Sequence, residues 1–202
     1  MQKNNYHRYL NLTEEYIPNV DLSQWNVKGL QWVEFHKDLH LKDLKNQKFI
    51  NWLSSFDLTS YWIEVFYTPP GENGIIHSDN TEYLDWAKIV FQYGAKGSTM
   101  RWWKSDQTQE VSTSLEERSE YDKSYRTNEH YHGQVLVSLP EVSELVYEAE
   151  IGKASLVNVG PLHSSHNPTD DPRFVVTVAL FYPDGTRVLW DDALRILKDY
   201  VE

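Results

Sequence analysis

From Tyr61 to Tyr67 the chain is dense in aromatic and β-branched residues, and it stops at Thr68-Pro69-Pro70-Gly71, which predicts a strand closed by a turn. From Trp86 to Tyr93 two faces alternate, with Ala87, Ile89, Phe91 and Tyr93 on one and Trp86, Lys88, Val90 and Gln92 on the other. Gly94 and Gly97 frame a turn before a further strand over Ser98 to Lys104. Strands are predicted again at Val135 to Leu139, Leu145 to Ile151, Ala154 to Val159 and Phe174 to Tyr182, where Pro183-Asp184-Gly185 ends the last. Helical spacing shows in Leu41, Leu44, Phe49, Trp52, Leu53 and Phe56, which predicts an amphipathic helix from about His40 to Phe56. It shows again in Leu189, Ala193, Ile196, Leu197 and Tyr200, with Asp191 and Asp192 in a first turn that the helix dipole favours. The first thirty-odd residues read as extended or irregular, anchored by Tyr16, Trp25 and Trp32.

Seven or more short strands without βαβ alternation, with helices at both ends, predict a mainly β fold (α+β by content). A sandwich or barrel-like core with helices packed outside fits that order, as one domain over residues 1–202. Between Ser105 and Gln134 the pattern lapses into a polar stretch with 7 acidic and 3 basic side chains, too long for a hairpin loop and expected to be a lid or insertion. Repeats and low-complexity tracts are absent from the sequence.

Composition removes several classes of chemistry. With no cysteine, the 202 residues offer no disulfide, thiolate zinc site, iron–sulfur cluster or cysteine nucleophile. A metal would need nitrogen and oxygen ligands from 8 His and 30 acidic residues. The net charge of −11 argues against nucleic acid or an anionic membrane as partner. A polar N-terminus without a signal peptide, and no long apolar run, lead to the expectation of a soluble cytoplasmic protein.

Two His-x-Asp tripeptides occur, His36-Lys37-Asp38 and His77-Ser78-Asp79. The first leads into the predicted helix and reads as a surface or capping histidine. The second follows a strand and a Pro-Pro-Gly turn, at a rim position where ligands converge on a cavity. A second cluster, Leu162-His163-Ser164-Ser165-His166-Asn167, joins two apolar strands, and Arg173 opens the next on the face of Val175 and Thr177. An arginine on an inward face calls for an anion, and its planar guanidinium suits a carboxylate. Two imidazoles and one carboxylate make the facial triad that leaves three adjacent positions open, as suits Fe(II). A zinc hydrolase has use for the same ligands but none for the arginine.

Tyr67-Thr68-Pro69-Pro70-Gly71 running into His77-Ser78-Asp79-Asn80, Ser98 to Lys104, and Asn158 to Asn167 closed by Pro172-Arg173 carry a resemblance. Over roughly residues 60–182 the chain resembles the 2-oxoglutarate- and Fe(II)-dependent oxygenases, in particular the prolyl- and aspartyl-hydroxylase-like branch of marine phages and bacteria. The resemblance implies a double-stranded β-helix (a jelly-roll, cupin-like core) with flanking helices. It implies His77, Asp79 and His163 as catalytic iron ligands, and Arg173 as the partner of the distal carboxylate of 2-oxoglutarate. Tyr93, on a face expected to look inward, and Tyr67 are implied as further contacts to that carboxylate. His166 stays outside the ligand set.

The implied reaction uses O₂, converts 2-oxoglutarate to succinate and CO₂, and hydroxylates a substrate. Val175 stands two residues after the arginine, where some branches carry serine, and the insertion lengthens the interval between His77 and His163. Substrate selection is expected of the Ser105 to Gln134 segment and of Trp102 and Trp103. Glu129-His130-Tyr131-His132 reads as a solvated lid with incidental histidines rather than a second metal site. A protein side chain, a free amino acid and a small metabolite all remain open as substrate. Two other functions share the same features: a cupin-type metal-dependent isomerase or hydrolase, and a binding module that kept the fold without catalysis.

Overall fold

A computed structural model describes residues 4–18, 44–61, 63–81, 84–112 and 134–202. Through them run eleven strands: β1 (His7–Tyr9), β2 (Ile63–Thr68), β3 (Ile76–His77), β4 (Ala87–Gly94), β5 (Thr99–Lys104), β6 (Gln109–Ser112), β7 (Gln134–Ser138), β8 (Glu144–Glu150), β9 (Ser155–Asn158), β10 (His163–His166) and β11 (Arg173–Ala179). Two α-helices accompany them, α1 (Gln47–Ser54) and α2 (Trp190–Ile196).

The strands form two antiparallel sheets of order β1-β9-β4-β11-β2 and β6-β7-β3-β10-β5-β8. Within this, β2, β4, β9 and β11 share one sheet while β3, β5, β8 and β10 share the other, and the chain crosses between them repeatedly. That order is the double-stranded β-helix, a jelly roll. The remaining strands extend its edges. β1 pairs with β9, and β6 with β7 form the two ends of the polar insertion, docked on β3. The rest of the insertion, residues 113–133, lies outside the described residues, as do Glu129 to His132 and the His36-Lys37-Asp38 tripeptide.

Both faces of the β4 sheet are buried, each for a different reason. Ile63, Val65, Ile89, Phe91, Val176 and Val178 pack against Phe49, Trp52 and Leu53 of α1 and Trp190 and Ala193 of α2. On the other face, Val90, Val157 and Val175 meet Met100, Trp102 and Ile151 between the sheets. α1 starts later than its apolar spacing predicts. Lys45 takes φ +50° and Asn46 then caps the helix, its side chain accepting from the Phe49 N–H at 3.0 Å. No helix among the described residues is long and apolar enough to cross a membrane.

Candidate metal centre

His77 ends β3 and His163 opens β10, and the two are direct register partners with ring centroids 4.5 Å apart. Asp79 joins them by a different route from the strand alternation the His-x-Asp spacing suggests. β3 stops at His77, and the chain turns there. The buried Ser78 hydroxyl donates to the Asn80 carbonyl and accepts from the Leu136 N–H, while the Asp79 N–H donates to the Val159 carbonyl at 3.1 Å. The turn thus carries Asp79 back over the two rings. Its Oδ1 lies 3.6 Å from His77 Nε2 and 3.7 Å from His163 Nε2.

The protonation pattern fits a cation at this point. His77 Nδ1 lies 2.9 Å from the Ile75 carbonyl, and His163 Nδ1 lies 2.9 Å from the Pro161 carbonyl. A carbonyl only accepts, so each Nδ1 carries a proton and each ring turns its Nε2 toward Asp79. Burial and the neighbouring His77 push the His163 pKa down to about 4. Burial works to raise the Asp79 pKa, but Lys88 and the two imidazoles outweigh it and hold the carboxyl below its ordinary range. Three candidate ligand atoms, two imidazole nitrogens and one carboxylate oxygen, lie within 4.8 Å of one another, a set that suits a divalent metal.

All three side chains border a cavity of about 280 Å³ that also reaches Arg173. Arg173 is buried, its Nε donates to Gln92 Oε1 at 3.1 Å, and burial lowers its pKa to about 10, which leaves it a cation at neutral pH. Among the described residues no carboxylate lies within ion-pair distance of it. Its register partner Thr68 also borders the cavity, and the Thr68 and Ser165 hydroxyls stand 3.3 Å apart. Close packing fixes the start of β11. Gly94, opposite Arg173, has φ +70°, and a side chain there would meet the Pro172 carbonyl. Asn167 is fully buried and donates to the carbonyls of Thr68, Pro69 and Asp171 at 3.3, 3.0 and 2.8 Å, tying the β10–β11 connection to the end of β2.

Several expectations need correction. Tyr93 belongs to the face of β4 that packs on the helices, and its hydroxyl donates to the Pro18 carbonyl, so it does not border the cavity. Tyr67 borders the cavity, but its ring packs at 5.1 Å on Phe174, its register partner, on the face opposite Arg173. Trp102 is wholly buried between the sheets, with its indole N–H on the Asn158 carbonyl at 2.9 Å. Trp103 bonds the Ser164 hydroxyl at 2.9 Å. Neither tryptophan borders the cavity. His166, expected outside the ligand set, pairs with the Asn73 side chain and is not among the three clustered ligand atoms.

Sequence reasoning missed Lys88, Glu64 and Gln92. Lys88 Nζ lies 2.6 Å from Asp79 Oδ2 and 2.8 Å from Glu64 Oε2. Burial alone would lower the Lys88 pKa, but the two carboxylates raise it, so the amine stays protonated. The signal was present as single charges inside apolar strands, in Ile63-Glu64-Val65-Phe66 and Ala87-Lys88-Ile89-Val90.

No protein-family model matches the chain, and no curated protein matches it in sequence. Among solved structures it is similar to a non-heme monooxygenase, ThoJ, in complex with nickel, at 16% identity and TM-score 0.36, over 70% of this chain and 54% of that one. The chain therefore spans about half the length of that monooxygenase. It is also similar to an oxalate oxidase in complex with the substrate analogue glycolate, at 9% identity and TM-score 0.31, over 95% of this chain and 88% of that one. The jelly roll is established by its own strand order, independently of these likenesses.

Proposed function

We propose that the protein is a 2-oxoglutarate- and Fe(II)-dependent dioxygenase that hydroxylates its substrate. The observation that carries this reading is the buried Arg173 cation, which borders the same cavity as His77, Asp79 and His163 and has no carboxylate partner among the described residues. A buried guanidinium without an anion is costly, and a dicarboxylate that also ligates a metal answers it. His77, Asp79 and His163 would hold the iron, each imidazole oriented by its Nδ1–H bond to a carbonyl. When bound, the iron would activate O₂ for conversion of 2-oxoglutarate to succinate and CO₂ with hydroxylation of a substrate C–H bond. Arg173, held at Nε by Gln92, would take the distal carboxylate of 2-oxoglutarate, while Val90, Val157 and Val175 exclude water from the wall between. The substrate would be a protein side chain, a free amino acid or a small metabolite.

Iron-loaded protein incubated with 2-oxoglutarate tests this reading. Succinate formed in air and not under argon supports it. A loaded protein that forms no succinate in air contradicts it and leaves a cupin-type isomerase or hydrolase, for which Arg173 has no assigned task.

A further inference from the structure

Asp79 uses its two oxygens in different ways. Oδ1 faces both imidazoles, whereas Oδ2 turns away and meets the Lys88 ammonium at 2.6 Å. Lys88 in turn contacts Glu64 Oε2 at 2.8 Å, and the Thr177 hydroxyl donates to the same Oε2 at 3.3 Å. The Lys88 and Glu64 side chains are each only 5% exposed. Both project from the sheet opposite the two histidines, Lys88 beside Ala179 and Glu64 beside Thr177 in the β11 register. A charged chain of three residues therefore backs the triad from the far wall of the cavity.

We propose that Lys88 is a positioning residue for the metal centre: it occupies Asp79 Oδ2, so that Asp79 presents a single oxygen to the metal, and Glu64 is the counter-charge that allows a cation to stand there. The inference rests on the reading of His77, Asp79 and His163 as metal ligands and adds how the carboxylate binds. A free aspartate can close on a metal with both oxygens, and doing so would fill one of the positions that exogenous ligands need. An ammonium held on Oδ2 by a short charge-assisted contact prevents that closure. Alone, Lys88 would also repel an incoming metal cation and weaken its binding. Glu64 cancels that charge, and the set of Asp79, Lys88 and Glu64 carries the same net charge of minus one as an unassisted aspartate.

The test uses Mn(II) as the probe, with water-proton relaxation counting the water molecules left on the bound ion, and titration giving its affinity. Metal-free wild type, Lys88→Arg, Glu64→Gln and the double variant Lys88→Met/Glu64→Gln are compared. The double variant removes the buried pair as a unit, which proteins commonly tolerate, and circular dichroism verifies its fold. With Asp79 free to bind through both oxygens, its Mn(II) relaxivity is expected to fall by about a third, from three open positions to two. Lys88→Arg, which still reaches Oδ2, is expected to keep the wild-type relaxivity. Glu64→Gln is expected to keep the relaxivity but weaken Mn(II) binding by about tenfold or more, because the Lys88 charge is left uncancelled. A folded double variant with wild-type relaxivity would overturn the role of Lys88, and unchanged affinity in Glu64→Gln would overturn that of Glu64. Failure of wild type itself to bind Mn(II) would instead overturn the metal-centre reading beneath it.

Discussion

His77 and His163 sit directly opposite each other across β3 and β10, each with its Nδ1–H on the carbonyl two residues before it, at Ile75 and Pro161. The same local device orients both rings, and the strand register brings their Nε2 atoms to one point with Asp79.

Replacement of His163 by Ala is therefore expected to weaken Co(II) or Mn(II) binding by more than about 100-fold, whereas His166→Ala leaves it within about threefold. Calorimetric titration of the metal-free variants measures both. Equal losses at the two positions would contradict the assignment of ligands.

Stability should fall on acidification through His7. This histidine is buried against the Ser155 hydroxyl at 2.8 Å, and burial, with Arg8, lowers its pKa from 6.5 to about 4. Between those values the unfolded chain holds the proton and the folded chain does not, so the free energy of unfolding drops as pH falls through that window. The loss attributable to His7 is about 3 kcal/mol and is complete below pH 4. Urea unfolding across pH 7 to 4 should show a shallower slope for His7→Gln than for wild type, and identical slopes would contradict this.

Much of the fold was legible because β4, β5, β8, β9 and β11 carry alternation or dense apolar runs. β3 and β10 were not legible as strands. One has two residues, and the other reads His163-Ser164-Ser165-His166, without an apolar face. Yet these polar strands hold the histidines, so the candidate ligands were visible as chemistry where the strands were invisible as pattern. Tyr93 was misassigned for a related reason. Alternation separates the two faces of β4, but both are buried, and period alone does not say which meets the helices. The wholly apolar face went to α1, and the face with Lys88 and Gln92 went to the cavity. The lone charges of Lys88 and Glu64 were the readable clue.

Asn167→Ala is expected to destabilise the protein by about 3 kcal/mol, because the buried Thr68 carbonyl, the partly covered bonds to the Pro69 and Asp171 carbonyls, and the Thr169 N–H and hydroxyl lose this partner together. The loop that sets Arg173 loosens with it, so 2-oxoglutarate affinity should drop more than metal affinity. Paired denaturation and ligand titrations measure this, and a variant as stable as wild type would contradict it.

Trp102→Ala is expected to cost about 3–5 kcal/mol by emptying space between the sheets. Trp102→Phe, which fills most of that space, should leave substrate preference unchanged. A shift in preference without loss of stability would return Trp102 to the cavity wall.

The most direct measurement is anaerobic titration of the Fe(II)-loaded protein with 2-oxoglutarate, comparing wild type with Arg173→Leu. Loss of a buried charge-assisted carboxylate contact of about 1.5–3 kcal/mol predicts affinity weakened by roughly 10- to 150-fold, with Fe(II) binding unchanged. Equal affinity of the two proteins for 2-oxoglutarate would contradict the pairing of Arg173 with the His77, Asp79 and His163 centre.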